Sequence, residues 1–473
     1  MAKEPDEGFI KKLEAWTEAH REELVADLIG LVNIRSVKEA PADNQPFGPG
    51  PAAVIDRGLE LGRRYGFETE NDEYYTLSFI LKGRTERELG IISHVDVVPE
   101  GNGWTYEPYN ARVVDGYIVG RGSGDDKGPS VAALYALRAL GDLDAGLNHS
   151  VRLIWGANEE SGMEDVKHYV KTHAVLPDFT IVADGGFSVN IGEKGGLSAN
   201  LVFDTGPDSG ILDFSGGVAR NAVPDSAFIV LKAELSKVQA ALDGKDAAVS
   251  GEDGAVKVEA RGVASHAARP EGSVNAIRKL ARIITDAKLL DGRAYKAVEC
   301  IADVFSDYYG AGLGIASEDD VSGKTTHIGG LISFEGGKLI QNFDSRVAIR
   351  TDPASLIPKL EALGKEKGFT VERLRSSPSR YDPPDSPPVK ILFETGKQFL
   401  GDKLKPPATS GGGTHAKYFP RSIPFGAGFP PAEGEKEKFG SAHAANEAAA
   451  IEDLLKAVQI YAVDLIRLDK LYA

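Results

Sequence analysis

Five short stretches of the chain carry imidazole or carboxylate side chains in settings suited to holding a metal and moving protons. In Ser93-His94-Val95-Asp96, the aspartate can accept the second ring N–H of His94, which fixes its tautomer and raises its basicity toward a metal. In Gly120-Arg121-Gly122-Ser123-Gly124-Asp125-Asp126-Lys127-Gly128, two adjacent carboxylates share a glycine-rich turn, which is costly without a cation between them. That stretch is a poor fit to a phosphate-binding Walker loop, because the Gly-Lys-Ser/Thr ending is missing. In Asn158-Glu159-Glu160, one glutamate can bind metal while its neighbour stays free as a base. Asp184 and His443, the latter in Ser-Ala-His-Ala-Ala-Asn-Glu, complete the set. Singly, each has an ordinary reading: a satisfied histidine, a solvated turn, an acidic helix start, a cap or loop residue. Jointly, His94, Asp125, Glu160, Asp184 and His443 offer nitrogen and oxygen donors that suit zinc, manganese or cobalt. A single catalytic zinc takes about three protein ligands plus water, so this set, with one carboxylate bridging, predicts two metals about 3.5–4 Å apart. Cys300 is the only cysteine, which excludes thiolate zinc clusters and intramolecular disulfides.

The surrounding sequence supplies elements that can bring these groups together. Short apolar runs at residues 77–81, 89–92, 151–155 and 179–182 read as buried strands, with helical patterns between them at 130–140 and 163–172. Alternation of this kind predicts an α/β layer with a mostly parallel sheet. His94, the Glu159-Glu160 pair and Asp184 then fall at strand ends, on one edge of the sheet, where α/β folds place their ligands. Helices are predicted at 9–34 and 51–65, and a terminal helix from 444 to about 468 that His443 opens. After residue 194 the pattern changes. Alternating strands at 197–203, 227–233 and 256–260 precede a helix at 273–288, a long irregular stretch, a strand at 343–351 and a helix at 353–367. This is the signature of an α+β insert, and the Pro-, Ser- and Asp-rich segment 376–388 reads as the return linker. The expected organisation is a catalytic domain in two parts, 1–194 and 381–473, interrupted by a second domain at 195–380.

A net charge of −16 argues against a nucleic-acid partner and against docking on an anionic membrane, both of which need a basic face. No uncharged apolar stretch approaches the length of about 18 residues that suggests a membrane span, and the charged opening residues lack the apolar core of a signal peptide. A cytoplasmic location is the resulting expectation.

The order His-x-Asp, Gly-x-Gly-x-x-Asp-Asp-Lys-Gly, Asn-Glu-Glu, Asp and a late His resembles the carboxypeptidase G, aminoacylase and desuccinylase family of dinuclear metallohydrolases. Within it, Ser-His-Val-Asp-Val-Val-Pro-Glu-Gly-Asn-Gly-Trp and His-Ala-Ala-Asn-Glu look like the PepV-type bacterial dipeptidases. The resemblance implies that Asp125 bridges two metals, that His94 and Asp184 complete one site, and that Glu160 and His443 complete the other. It implies that Glu159 is the general base on the metal-bridging water and that Asp96 orients His94. It also implies a lid domain in which His266 steadies the oxyanion, Asn221 meets the substrate and Arg346 grips its free carboxylate, which the N–H of Gly413 also faces. The substrate so implied is a dipeptide, the metal zinc with manganese or cobalt as substitutes, and the protein a monomer. In that family Asp at position 184 goes with peptidases and Glu with deacylases. The alternatives are an N-acyl-amino-acid deacylase or desuccinylase on the same site, and a non-catalytic metal or peptide binder. Two departures bear on substrate preference: Gly-Gly-Phe-Ser after Asp184, and His415 after Gly-Gly-Gly-Thr.

Overall fold

The computed structural model describes residues 5–428, 434 and 438–473, so the opening residues 1–4 lie outside it. The chain forms two compact units, one of residues 1–191, 382–408 and 414–473, the other of residues 192–381 and 409–413.

The first unit is built on a six-stranded sheet. Glu88–His94 lies between Ser150–Gly156 and Phe179–Val182, and Ser422–Pro424 extends the far edge, all four strands parallel. Thr76–Leu81 and Glu68–Asp72 extend the near edge antiparallel. The inner strands are buried along nearly their whole length, which is why they read as continuous apolar runs. Helices Lys127–Asp142 and Ile451–Tyr472 pack against each other, and both also reach the sheet. The side chain of Trp155 is fully buried, its ring edge-on to Phe79 at 4.7 Å. The parallel strands all end on the same edge, which carries His94, the Glu159-Glu160 turn and Asp184.

The second unit is an antiparallel sheet with its own core. Lys338–Val347 and Gly195–Asp204 pair over ten residues, and Ser226–Leu231 alternates buried and half-buried positions as a one-sided sheet requires. Helices Ala276–Asp286 and Gly292–Val304 pack together, the former also against the sheet.

Three local expectations are corrected. The helix expected over 9–34 is two, Glu7–Ala19 and Arg21–Val32. At the break, His20 stacks on Trp16 and its Nδ1 sits 2.7 Å from the Trp16 carbonyl, a side-chain bond that competes with helix propagation. The stretch expected to be irregular contains Gly292–Val304, whose Ala294, Ala297, Val298 and Ile301 bury one helical face. The terminal helix begins at Ile451 and not at 444, so His443 does not open it. His443 and Asn446 take left-handed backbone angles (φ 65° and 56°), and Ala448–Ala450 pairs with Tyr117–Val119 as a strand. No helix among the described residues is long and apolar enough to cross a membrane.

Candidate metal centre

The cluster is best built outward from Asp125. Its Oδ1 lies 3.1 Å from His94 Nε2 and its Oδ2 lies 3.1 Å from His443 Nε2, so one carboxylate sits between two imidazoles. His443 Nε2 is also 2.9 Å from Glu160 Oε1. Donor atoms of His94, Asp125 and Glu160 lie within 4.8 Å of one another, as do those of His94, Glu159 and Asp184, and those of Asp125, Asp126 and Asp184. Residues spread over some 350 positions of sequence, His94 to His443, therefore meet at one sheet edge.

The segments that present His94, Asp125 and His443 are held by buried polar groups. Glu447, fully buried, accepts the N–H groups of Gly122, Gly124 and Asp125 at 3.0–3.1 Å on one carboxylate oxygen and pairs with Arg121 through the other. Arg121 stacks on Trp104 at 5.2 Å and donates to the His443 carbonyl at 3.2 Å, tying the loop of Asp125 to the loop of His443. Lys127, also buried, donates to the carbonyls of Leu31 and Ile34 at 3.0 and 2.7 Å, satisfying the end of helix Arg21–Val32. Burial holds its ammonium down at about 7, against the opposing pull of Glu447 and Asp96. Asp126 accepts the His94 N–H at 3.1 Å, and Ser130 Oγ donates to the His94 carbonyl at 3.0 Å.

Asp96 does more than the sequence suggests. His94 Nδ1 is nearer to its main-chain carbonyl, at 3.1 Å, than to its carboxylate, at 3.5 Å. The carboxylate instead accepts the N–H groups of Glu159 and Glu160 at 3.0 and 3.2 Å. Asp96 thus fixes the turn that carries both glutamates as well as the ring of His94.

Burial and mutual crowding shift the proton affinities of these side chains. Burial, then the nearness of Asp184, drives the Glu159 carboxyl well above its ordinary range. Burial, then Asp125, pushes Asp184 up to about 7, and burial raises Glu160 as well. Burial would lower His94, but Asp125 and Asp96 hold it well above the usual imidazole value. Asp125 and Glu160 raise His443 to about 10. Burial works to raise Asp125, yet the two imidazoles hold it below the ordinary carboxylate range. Crowded, buried carboxylates between two imidazoles form a donor set that fits divalent cations.

The remaining expected residues lie in the second unit. Asn221 and His266 are exposed and adjoin one two-residue ladder, in which Ala222 pairs with His266 and the Ala267 N–H donates to the Asn221 carbonyl at 2.9 Å. His266 Nδ1 accepts the Ala268 N–H at 3.1 Å, which places the proton of the neutral ring on Nε2. Arg346 faces Asp344, Nε to Oδ1, at 2.9 Å. Gly413 follows Gly411 and Gly412 in the short segment 409–413 that belongs to this unit. The Asn221 loop is held by close backbone contact: Gly217 has φ 81°, and a Cβ there would fall 1.8 Å from the Gly330 carbonyl oxygen.

Comparison with known proteins agrees with this reading of the fold. YtjP of Bacillus subtilis strain 168, provisionally named a dipeptidase, is 32% identical over 468 residues, covering 95% of this chain and 98% of its own length. The β-Ala-Xaa dipeptidase of Lactobacillus delbrueckii subsp. lactis is 30% identical over 469 residues, covering 96% and 97%. Human carnosine dipeptidase 1 shares the fold at a TM-score of 0.59 and 15% identity, over 98% of this chain and 100% of that one. The signature of Peptidase family M20/M25/M40 matches residues 90–465, a span that holds all five predicted ligands, and the chain belongs to that family.

Proposed function

We propose that the protein is a metal-dependent dipeptidase that hydrolyses dipeptides bearing a free carboxylate. The observation that carries this reading is the Asp125 carboxylate set between His94 and His443, with Glu159 beside them. His94, Asp125 and Asp184 would hold one divalent cation; Asp125, Glu160 and His443 would hold the other. When bound, such cations polarise a carbonyl and acidify water.

The chain's own residues do the rest. Glu159 Oε takes the proton of the attacking water and returns it to the leaving amine; burial and the neighbouring carboxylates raise its proton affinity above that of a free carboxylate. Asp96 holds the Glu159 amide so that the side chain starts from a fixed backbone. His266, with its proton on Nε2, is a donor to the developing oxyanion, and Asn221 is a second polar contact. Arg346 and the Gly413 N–H would receive the substrate carboxylate. Asp at position 184 favours peptide substrates over acyl groups, and the name of the Lactobacillus relative puts β-alanyl dipeptides first in the panel. Zinc as the resident metal, a monomeric state and a cytoplasmic address accompany this reading.

The test is a panel of β-alanyl and α-dipeptides beside N-acetyl and N-succinyl amino acids, with metal content measured on the same sample. Dipeptide turnover that falls by about 10²–10⁴ in Glu159→Gln, at unchanged metal content, is the expected result. Cleavage of the acyl amino acids alone would make the protein a deacylase. Metal uptake with no cleavage would make it a binder.

A further inference from the structure

His415 is fully buried, and its Nε2 lies 3.2 Å from Oδ2 of Asp165, which is buried just as completely. The same Oδ2 accepts the Asn158 N–H at 2.8 Å, and Oδ1 accepts the Val166 N–H at 2.8 Å. Asn158 is the residue before Glu159. The pair packs on the end of strand Ser150–Gly156: a Cβ at Gly156 would fall 2.3 Å from Asp165 Oδ2 and 2.7 Å from His415 Cε1. The other edge of this arrangement is the metal cluster, since the His415 and His94 rings meet edge-on with centroids 6.3 Å apart. Among the described residues, His415 shares none of the donor groups close enough together to hold a metal.

Burial would raise Asp165, but His415 and the two backbone N–H groups hold it below its ordinary value. Both Asp165 oxygens already act as acceptors of backbone N–H groups, so His415 Nε2 is the donor across the 3.2 Å contact. The turn 158–160 is then held at both ends, by Asp165 at Asn158 and by Asp96 at Glu159 and Glu160.

We propose that His415 is a positioning residue that acts through Asp165 to set the Asn158–Glu160 turn, and with it the carboxylate of Glu159. The proposal rests on Glu159 being the proton carrier, and it separates His415 from both metal retention and substrate affinity. A misplacement of about 1 Å at a reacting group costs up to about 100-fold in rate, so the effect belongs in kcat.

The experiment compares His415→Phe, which keeps the ring and loses the donor, with His415→Gln, which keeps an N–H donor in reach of Asp165. Full-length protein is loaded with zinc, and kcat and KM for β-alanyl-histidine, bound zinc and amide exchange at residues 158–160 are measured. The expected result for the Phe variant is a kcat lower by about 10–100-fold, with KM and zinc content unchanged and exchange at 158–160 about tenfold faster. The Gln variant recovers most of both, and Asp165→Asn combined with His415→Phe is no worse than His415→Phe alone. Equal impairment of the Phe and Gln variants, a loss that tracks zinc content, or additive effects in the double variant would overturn the proposal. If His415→Phe does not fold, Asp165→Asn carries the comparison, and unchanged exchange at 158–160 there overturns it. Amide exchange decides the matter even if the wild-type protein cleaves no dipeptide, an outcome that would defeat the functional reading alone.

Discussion

In the unit that carries Asp125, the segments presenting His94, Asp125, Glu160 and His443 are each tied to a buried charged side chain: Asp126, Glu447, Asp96 and Arg121. In the other unit, Asn221 and His266 adjoin a ladder two residues long and are exposed, and Arg346 is engaged only by its strand neighbour Asp344 among the ion pairs described. One region sets its donors among buried charged groups; the other leaves Asn221 and His266 exposed. Buried hydrogen-bonded charges resist displacement, because a departure strands a charge in a low-dielectric interior. Exposed side chains do not carry that desolvation cost. The contrast fits chemistry that needs fixed donors on one side and a surface that adjusts to different dipeptides on the other.

The largest effect should come from the fixed side. Asp125→Ala removes the acceptor common to both imidazoles and should leave fewer than two cations after dialysis and hydrolysis at background, read by metal analysis and a dipeptide assay. Two cations retained at full activity would contradict the arrangement around Asp125. Next comes the adaptable side. His266→Ala should lower kcat by about 10²–10³ while the metal content stays that of wild type. A change in metal content there would show that the two regions are not independent. Smaller again is Glu447→Gln, which weakens the hold on the Asp125 loop without touching a donor. A loss of metal affinity of about 10–100-fold is expected, with near-normal turnover once saturated, as a metal titration would show.

The last effect concerns stability alone. His327 is buried in the second unit, 2.8 Å from Ser345 Oγ and stacked on Phe305, and burial holds it down at about 4, partly offset by Asp307 and the Val304 carbonyl. Its unfolded value is near 6.5, so the unfolded chain binds the proton more readily. The stabilisation is complete above about pH 6.5 and is lost as pH falls toward 4, on the order of 3 kcal/mol in all. Denaturation of His327→Asn at pH 7 and pH 4.5 should show a smaller drop than wild type. An equal drop would mean that His327 is not the group responsible.

The sequence made the donors legible because a parallel sheet forces strand ends onto one edge, so His94, Glu160 and Asp184 could be placed from apolar runs alone. It did not make legible what holds them. Glu447, Asp165, Lys127 and Arg121 look like ordinary surface charges in a string of letters; their roles depend on burial, and burial of a charge leaves no periodicity to read. His415 was visible only as a departure from an expected pattern. The start of the terminal helix was misplaced for a related reason. Residues 444–450 have helix-favouring alanines, but Glu447 is committed to the Asp125 loop and Ala448–Ala450 to a strand, and tertiary demands override propensity.

Because Ser422–Pro424 completes a sheet whose other strands precede Gly192, that sheet keeps an open edge while the whole intervening unit is synthesised. At about 5–20 residues per second this interval is on the order of 10–50 s. Throughout it the growing polypeptide displays His94, Asp125, Glu160 and Asp184 without His443 and without the Glu447 brace. Capture of a cation by the complete set is therefore a late event on the ribosome: a chain truncated upstream of residue 422 lacks both the last strand of the sheet and His443.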